Sequence, residues 1–176
     1  MDNKTLTLVI TLPLIALVLA MIGAGWRSRL RRQSDVEQLP AVPAELSLPL
    51  ATADGQYVAT TTAGDWLDRI AVQGLGIRTN AELTVHPEGV LFERAGAGPV
   101  FIPAGRLTGV RQDSGMAGKF VEKDGLLVLT WDLGTHSLDT GFRTRRAADK
   151  DALYDSLQQL IATAPREHSQ DPQSGK

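Results

Sequence analysis

The residues of this 176-residue chain best suited to hold a metal or move a proton at neutral pH are its three histidines, His86, His136 and His168. No two stand four residues apart, and the only carboxylate at ligand spacing is Glu167, beside His168 in a polar tail. No metal site is therefore expected. His86 reads as a turn residue and His136 as an exposed strand residue. Asp65, Asp68, Asp132 and Asp139 offer carboxylates for acid–base work, but no serine motif, basic nucleophile or oxyanion loop accompanies them. Asp65, just ahead of Trp66, is read as a cap or turn residue, and Asp68 or Asp132 as a structural partner for Arg69 or Arg143. With no cysteine in the chain, disulfides, thiolate metal sites and cysteine nucleophiles are excluded.

Phosphate chemistry has two candidate loops. Ala95-Gly96-Ala97-Gly98 lacks the Gly-Lys-Ser/Thr and helix start that a phosphate cradle needs, and Gly115-Met116-Ala117-Gly118-Lys119 leads into a strand. Both are read as hairpin loops. Trp66, Arg69, Arg78, Arg106, Arg111, Lys119 and Arg143 are the more interesting group as a ligand site, but a solvated sheet face or internal ion pairs is the better reading of them. Eighteen Lys and Arg against twenty Asp and Glu give a net charge of −2, without the basic excess that general nucleic-acid binding requires. The chain is expected to be neither an enzyme nor a nucleic-acid binder, and to need no cofactor.

The elements that must position these residues begin with an apolar run. Thr5 to Trp26 contains no charge, and about 22 residues at ~1.5 Å each span roughly 33 Å, enough to cross a hydrocarbon core of ~30 Å. Pro13 bends such a helix without preventing it. Arg27, Arg29, Arg31 and Arg32 follow at once, whereas Asp2 and Lys4 offset each other before the run. The expected topology is therefore a single span in the cell membrane, with the N-terminus outside and the remainder cytoplasmic, and with Trp26 at the inner interface. Gly23-Ala24-Gly25 would suit a signal peptidase, but the charge lies on the wrong side of the run for a secretory signal. Ala16, Ala20 and Ala24 recur every four residues and make a candidate helix–helix contact, in a homodimer or with a polytopic partner.

Pro40, Pro43 and Pro49 mark residues 27–54 as a basic juxtamembrane segment followed by an extended tether. Period-two alternation follows. Ala81, Leu83 and Val85 alternate with polar residues, and His86-Pro87-Glu88-Gly89 turns the chain into Val90 to Phe92. Val100 with Ile102, then 107–111, 119–122 and 126–133 are further short strands. Leu127, Leu129, Trp131 and Leu133 share one face, and Leu138, Thr140 and Phe142 continue it. The period then changes. Leu153, Leu157, Leu160, Ile161 and Ala164 predict an amphipathic helix from about Arg146 to Thr163, with Thr144 as N-cap and Pro165 as its stop. The tail to Lys176 is expected to be disordered.

Tyr57-Val58-Ala59-Thr60-Thr61, Gly64-Asp65-Trp66-Leu67-Asp68-Arg69-Ile70, Gly74-Leu75-Gly76-Ile77-Arg78, Trp131-Asp132-Leu133 and Thr140-Gly141-Phe142-Arg143 resemble actinobacterial single-pass membrane proteins with a cytoplasmic pleckstrin-homology (PH)-like domain. The resemblance covers about residues 55 to 163. It implies a mainly β fold, a PH-like barrel or sandwich of about seven antiparallel strands closed by the C-terminal amphipathic helix and preceded by the transmembrane helix. The organisation implied is a short outer N-terminus (1–4), the span (5–26), the tether (27–54), the PH-like domain (55–164) and the tail (165–176). No activity comes with the resemblance. Trp66, Asp68, Arg69, Arg78, Trp131, Asp132, Phe142 and Arg143 are its motif residues, with interaction or structural roles. The first hairpin lacks the close-set Lys-x-Arg pair with which eukaryotic PH domains hold lipid phosphates. The function expected is a membrane-anchored interaction or scaffold domain with an unidentified membrane or cytoplasmic protein partner. The alternatives are an accessory subunit of a transport or export system, and recognition of anionic lipid or a phospho-ligand.

Overall fold

The computed structural model describes residues 11–15, 17–21, 37–120 and 122–165, with 119 and 120 described in backbone only. The chain divides into two compact units, residues 1–35 and 36–176. In the first unit, residues 11–15 and 17–21 are helical, and Leu12, Leu14, Ile15, Leu17, Val18, Leu19 and Met21 are exposed. Among the described residues no helix is long and apolar enough to cross a membrane. Much of the expected span lies outside the described residues, as do Ala16, Ala24, Trp26, Arg27, Arg29, Arg31, Arg32 and residues 166–176.

The second unit is built on β1 (Ala51–Thr62), β2 (Asp65–Arg69), β3 (Thr79–His86), β4 (Gly89–Arg94), β5 (Val100–Pro103), β6 (Leu107–Asp113), β7 (Gly115–Met116), β8 (Lys119–Phe120), β9 (Leu126–Leu133), β10 (His136–Thr144) and the helix α1 (Ala147–Thr163). The main antiparallel sheet runs β5-β4-β3-β1-β10-β9-β6, with β2 paired to β1, and β7 and β8 form a separate hairpin. It is an open sheet, not a closed barrel. Consecutive strands β5 and β6 are its two edges: Pro103 has no N–H to donate, and the 3-10 turn Ala104–Arg106 carries the chain from one edge to the other. β1 begins at Ala51, inside the segment expected to be tether.

One core cluster draws on seven strands and the helix, including Tyr57, Phe92, Ile102, Leu129, Trp131, Phe142, Leu153 and Leu157. The alternation of β9 and β10 places Leu127, Leu129, Trp131, Leu138 and Phe142 inward, as their period predicts. The helix contributes Leu153, Leu157 and Leu160, and packs against β1, β3, β6 and β10. Its N-cap is Arg146, in extended conformation and without a side-chain cap bond, rather than Thr144. Thr144 is still paired with Gly55 across the β1–β10 ladder, which keeps it in the strand.

β1 does not keep one period. Tyr57 pairs with Phe142 and Ala59 with Gly141, so Val58 is an extra residue that reverses the parity of the strand. Thr60 then faces the core beside Thr140. A buried chain of polar contacts results: Trp131 Nε1 to Thr140 Oγ1 at 2.9 Å, Thr140 Oγ1 to Thr60 Oγ1 at 2.8 Å, Thr60 Oγ1 to the Tyr57 hydroxyl at 2.5 Å, and that hydroxyl to the Leu75 carbonyl at 3.0 Å. The indole N–H only donates and the carbonyl only accepts. Every contact is filled when Trp131 donates to Thr140, Thr140 to Thr60, Thr60 to Tyr57 and Tyr57 to Leu75.

Residues 37–50 have no regular structure but do not hang free as a spacer. The Leu39 N–H donates to Gln73 Oε1 at 2.7 Å, and the Gln73 side-chain amide donates to the Glu37 carbonyl at 2.8 Å. Ser47 Oγ donates to Glu88 at 2.5 Å, and the Ser47 carbonyl meets His86 Nδ1 at 2.7 Å. His86 is thus a buried residue that anchors the strap, not a simple turn residue.

Candidate functional site

Most of the chemistry-bearing residues lie on the outer face of the sheet, opposite the helix-covered core. Along β10, Asp139, Gly141 and Arg143 all point to this face because strand side chains alternate. Gly141 lies under the β7–β8 hairpin, where a side chain would collide with Met116. Val58, Met116, Leu126 and Val128 form a second small apolar cluster there. The hairpin therefore separates a region around Asp139 from one around Arg143.

Asp139 lines a recess of about 310 Å³ with Gly64, Trp66, Arg111, Asp113, Ser114 and Gly115. Arg111 grips its carboxylate in a fork, Nη1 to Oδ1 at 3.1 Å and Nη2 to Oδ2 at 2.9 Å. Thr130 Oγ1 donates to Oδ1 at 2.7 Å and the Gly64 N–H to Oδ2 at 3.2 Å. Burial acts to raise the carboxyl pKa, but the Arg111, Thr130 and Gly64 hydrogen bonds together outweigh it and leave it below the ordinary value. This carboxylate is therefore ionised, with both oxygens engaged. It is built to hold Arg111 in place, not to accept a proton from a substrate. A second carboxylate, Asp113, lies 3.6 Å from Arg111 Nε.

The large apolar residue of the recess is Trp66, 41% exposed; Leu67 and Ile77 are also exposed on the same excursion between β1 and β3. Asp65 acts as the turn residue expected of it, its Oδ1 accepting from the Leu67 and Asp68 N–H groups at 3.1 and 3.3 Å. Thr62 donates to Asp68 at 2.8 Å. Arg69 donates to the Gly76 and Ala117 carbonyls, and the Ala117 N–H donates to the Trp66 carbonyl at 2.8 Å, tying β2 to the β7–β8 hairpin. Arg94, buried and stacked 4.8 Å from the Tyr57 ring, donates to the Gly74 and Gly98 carbonyls and fixes the other end of the excursion.

The motif residues of the sequence thus fall into different places. Trp131 and Phe142 are wholly buried in the core. Asp132 is exposed. Arg143 pairs at 2.6 Å with Glu122, and not with the aspartates expected for it, because Glu122 stands on the turn above the end of β10. Arg78 donates to Gln56 at 2.6 Å, and Gln56 is the cross-strand neighbour of Arg143. Trp66 is brought to Arg111. Sequence reasoning did not single out the Arg111–Asp139 pair, which spans 28 residues. Its one signal was an aspartate alternating with the inward-facing Leu138 and Thr140 of β10. Among the described residues no group of three or more His, Cys, Asp or Glu is placed to hold a metal ion.

A family model described as "Bacterial PH domain-like" matches residues 36–158. No curated protein matches the chain. Among solved structures, a chain of the 8S snRNP assembly intermediate is similar at 9% identity, over 77% of this chain and 97% of that one, with a TM-score of 0.48. The activated truncation of Vav1 is similar at 16% identity, over 81% of this chain and 33% of that one, with a TM-score of 0.41. The C-terminal domain of an unknown protein from Leishmania infantum is similar at 13% identity, over 80% and 98%, with a TM-score of 0.38. Likenesses at these levels carry no functional weight.

Proposed function

Since the chain belongs to the bacterial PH domain-like family, we propose that it is a membrane-anchored, non-catalytic interaction domain whose recess beside Trp66 docks a protein partner. The observation that carries this reading is the pairing of an exposed tryptophan with a rigidly held arginine in one concavity. Trp and Arg are the residues that most often dominate binding energy at interfaces, and Arg111 is already oriented by Asp139. The polar groups around it are taken up in holding that arginine, which leaves recognition rather than chemistry as the role the recess supports.

Anchoring is supported by the uncharged run from Thr5 to Trp26 and by the arginines at 27, 29, 31 and 32, which favour a cytoplasmic domain in the cell membrane. Crosslinking in membranes with the full chain, read by mass spectrometry, tests the docking surface. A reproducible partner is expected to be lost on Trp66→Ala with the melting temperature unchanged. The same partner recovered from Trp66→Ala would remove the recess from consideration.

A second reading is an accessory subunit of a transport or export system, docked through its span. It is favoured by the alanines at 16, 20 and 24, of which Ala20 lies in a described helical stretch. Replacing all three by leucine is expected to abolish association, in a homodimer or with a polytopic partner, and to leave the β domain folded. Association that survives the triple substitution removes the basis of this reading.

A further inference from the structure

On the Arg143 side of the β7–β8 hairpin lies a cleft of about 570 Å³. Four of its lining residues are cations, Lys123, Arg143, Arg145 and Lys150, and one, Glu122, is an anion. They come from three elements: the turn 122–125, the end of β10 with the residue after it, and the first turn of α1. The turn is closed by the Gly125 N–H donating to the Glu122 carbonyl at 3.0 Å, with Asp124 at a φ of 56°. Lys150 Nζ donates to the Asp124 carbonyl at 2.8 Å, which ties the turn to the helix. Among the described residues, Lys123 and Arg145 make no salt bridge. The floor is polar. Asn80, Gln56 and Arg143 lie in one cross-strand row on β3, β1 and β10, and Arg78 reaches Gln56 from its edge at 2.6 Å.

A chain with net charge −2 has gathered four cations into one concavity and placed a single carboxylate among them. Like charges held this close repel unless an anion lies between them. Glu122 supplies one negative charge, bound to Arg143 at 2.6 Å. It is 60% exposed and stands on a turn, and Arg143 is its one salt-bridge partner among the described residues. Its pKa is lowered first by the Arg143 hydrogen bond, then by a hydrogen bond from its own backbone, with smaller contributions from the Arg143 and Lys150 charges, which places its carboxylate within the field of two cations. Among the residues that line the cleft, one carboxylate faces four cations.

We propose that this cleft binds a phosphate-class anion, a group with two or more negative charges on tetrahedral oxygens, and that Glu122 is its built-in competitor, displaced from Arg143 as the ligand enters. An arginine fork flanked by lysines is the donor set such a group favours over a single carboxylate. The cleft is large enough for a phosphoryl group and part of the molecule that carries it. A soluble phosphate ester and a lipid headgroup share this chemistry. The inference does not depend on the Trp66 recess.

Isothermal titration calorimetry of the full chain in nonionic micelles, with inorganic pyrophosphate as the probe, tests it. One-site binding is expected, weakened about tenfold or more by the double substitution Lys123→Gln with Lys150→Gln and tightened about threefold by Glu122→Gln. The gain from Glu122→Gln is a result that misfolding does not produce. Absence of binding at about 1 mM, or affinities unchanged by either substitution, would overturn the proposal. Competition with vesicles separates the sources of the anion. Displacement of pyrophosphate by vesicles containing phosphatidylglycerol, and not by phosphatidylcholine alone, assigns a lipid headgroup. Binding that such vesicles leave untouched assigns a soluble phosphate.

Discussion

Among the described residues, Tyr57 and Asp139 are the two buried residues whose protonation the fold shifts, and they act in opposite directions. Burial pushes the Tyr57 phenol up to about 12, against a smaller lowering by its Thr60 hydrogen bond. Unfolded, the same phenol ionises near 10. Its contribution to stability is therefore complete below about pH 10 and is lost as pH rises through 12, a change on the order of 2–3 kcal/mol. Urea denaturation between pH 9 and 12 is expected to show that fall in the wild type and not in Tyr57→Phe; parallel pH profiles would count against it. Asp139 is held below the ordinary carboxylate value, so its contribution is present above about pH 4, the unfolded value, and is lost as pH falls through the lower folded value. Asp139→Asn leaves Arg111 with only the half-exposed Asp113 as counter-charge and is expected to cost about 1–3 kcal/mol at pH 7, with a flatter acid limb. Equal stability of the two proteins would mean that solvent replaces the carboxylate at no cost. Both residues were visible in the sequence, but only as a tyrosine in a strand and one aspartate among four. Their partners lie between 3 and 75 residues away.

The elements themselves were more legible than their partners. The hairpin at Pro87, the inward face of β9 and β10 and the closing helix all follow from period and turn chemistry, since each depends on neighbours within a few residues. β2 was missed because its five residues carry no alternation that a buried face would impose, four of them being exposed. Of the β7–β8 hairpin, the strand at 119 was expected, but β7 at two residues is too short to show a period. Its position is set by a contact the sequence did not announce, Met116 over Gly141. Gly141→Ala is expected to cost about 1–3 kcal/mol by forcing the hairpin outward, and Met116→Ala in that background to restore part of the loss by clearing the space. Strictly additive losses would show that the two residues do not meet. The strap is another case. Its prolines predicted an extended segment, but hydrogen bonds to Gln73, His86 and Glu88 lay it on the domain surface from residue 37 onward.

For the whole molecule, the proposed anchoring requires the β unit to lie on the cytoplasmic side of the membrane. Protease added to intact cells is expected to leave that unit whole and to digest it only after permeabilisation; digestion from outside would sink the proposed topology. The apolar run, the arginines after it, the strand alternation and the helical period were all set by the amino-acid sequence, because charge, hydropathy and period are properties of neighbouring residues. The extra residue at Val58 was not. It turns Thr60 toward Thr140 and Tyr57, and nothing in the local pattern distinguishes that parity from the uninterrupted one. Likewise only the tertiary structure decided that Asp139 would orient Arg111 beside Trp66, and that Glu122 would meet Arg143 in a cationic cleft. These are encounters between side chains on different strands and turns. Their geometry depends on sheet register and on the placement of the β7–β8 hairpin, which the packing of the entire unit determines.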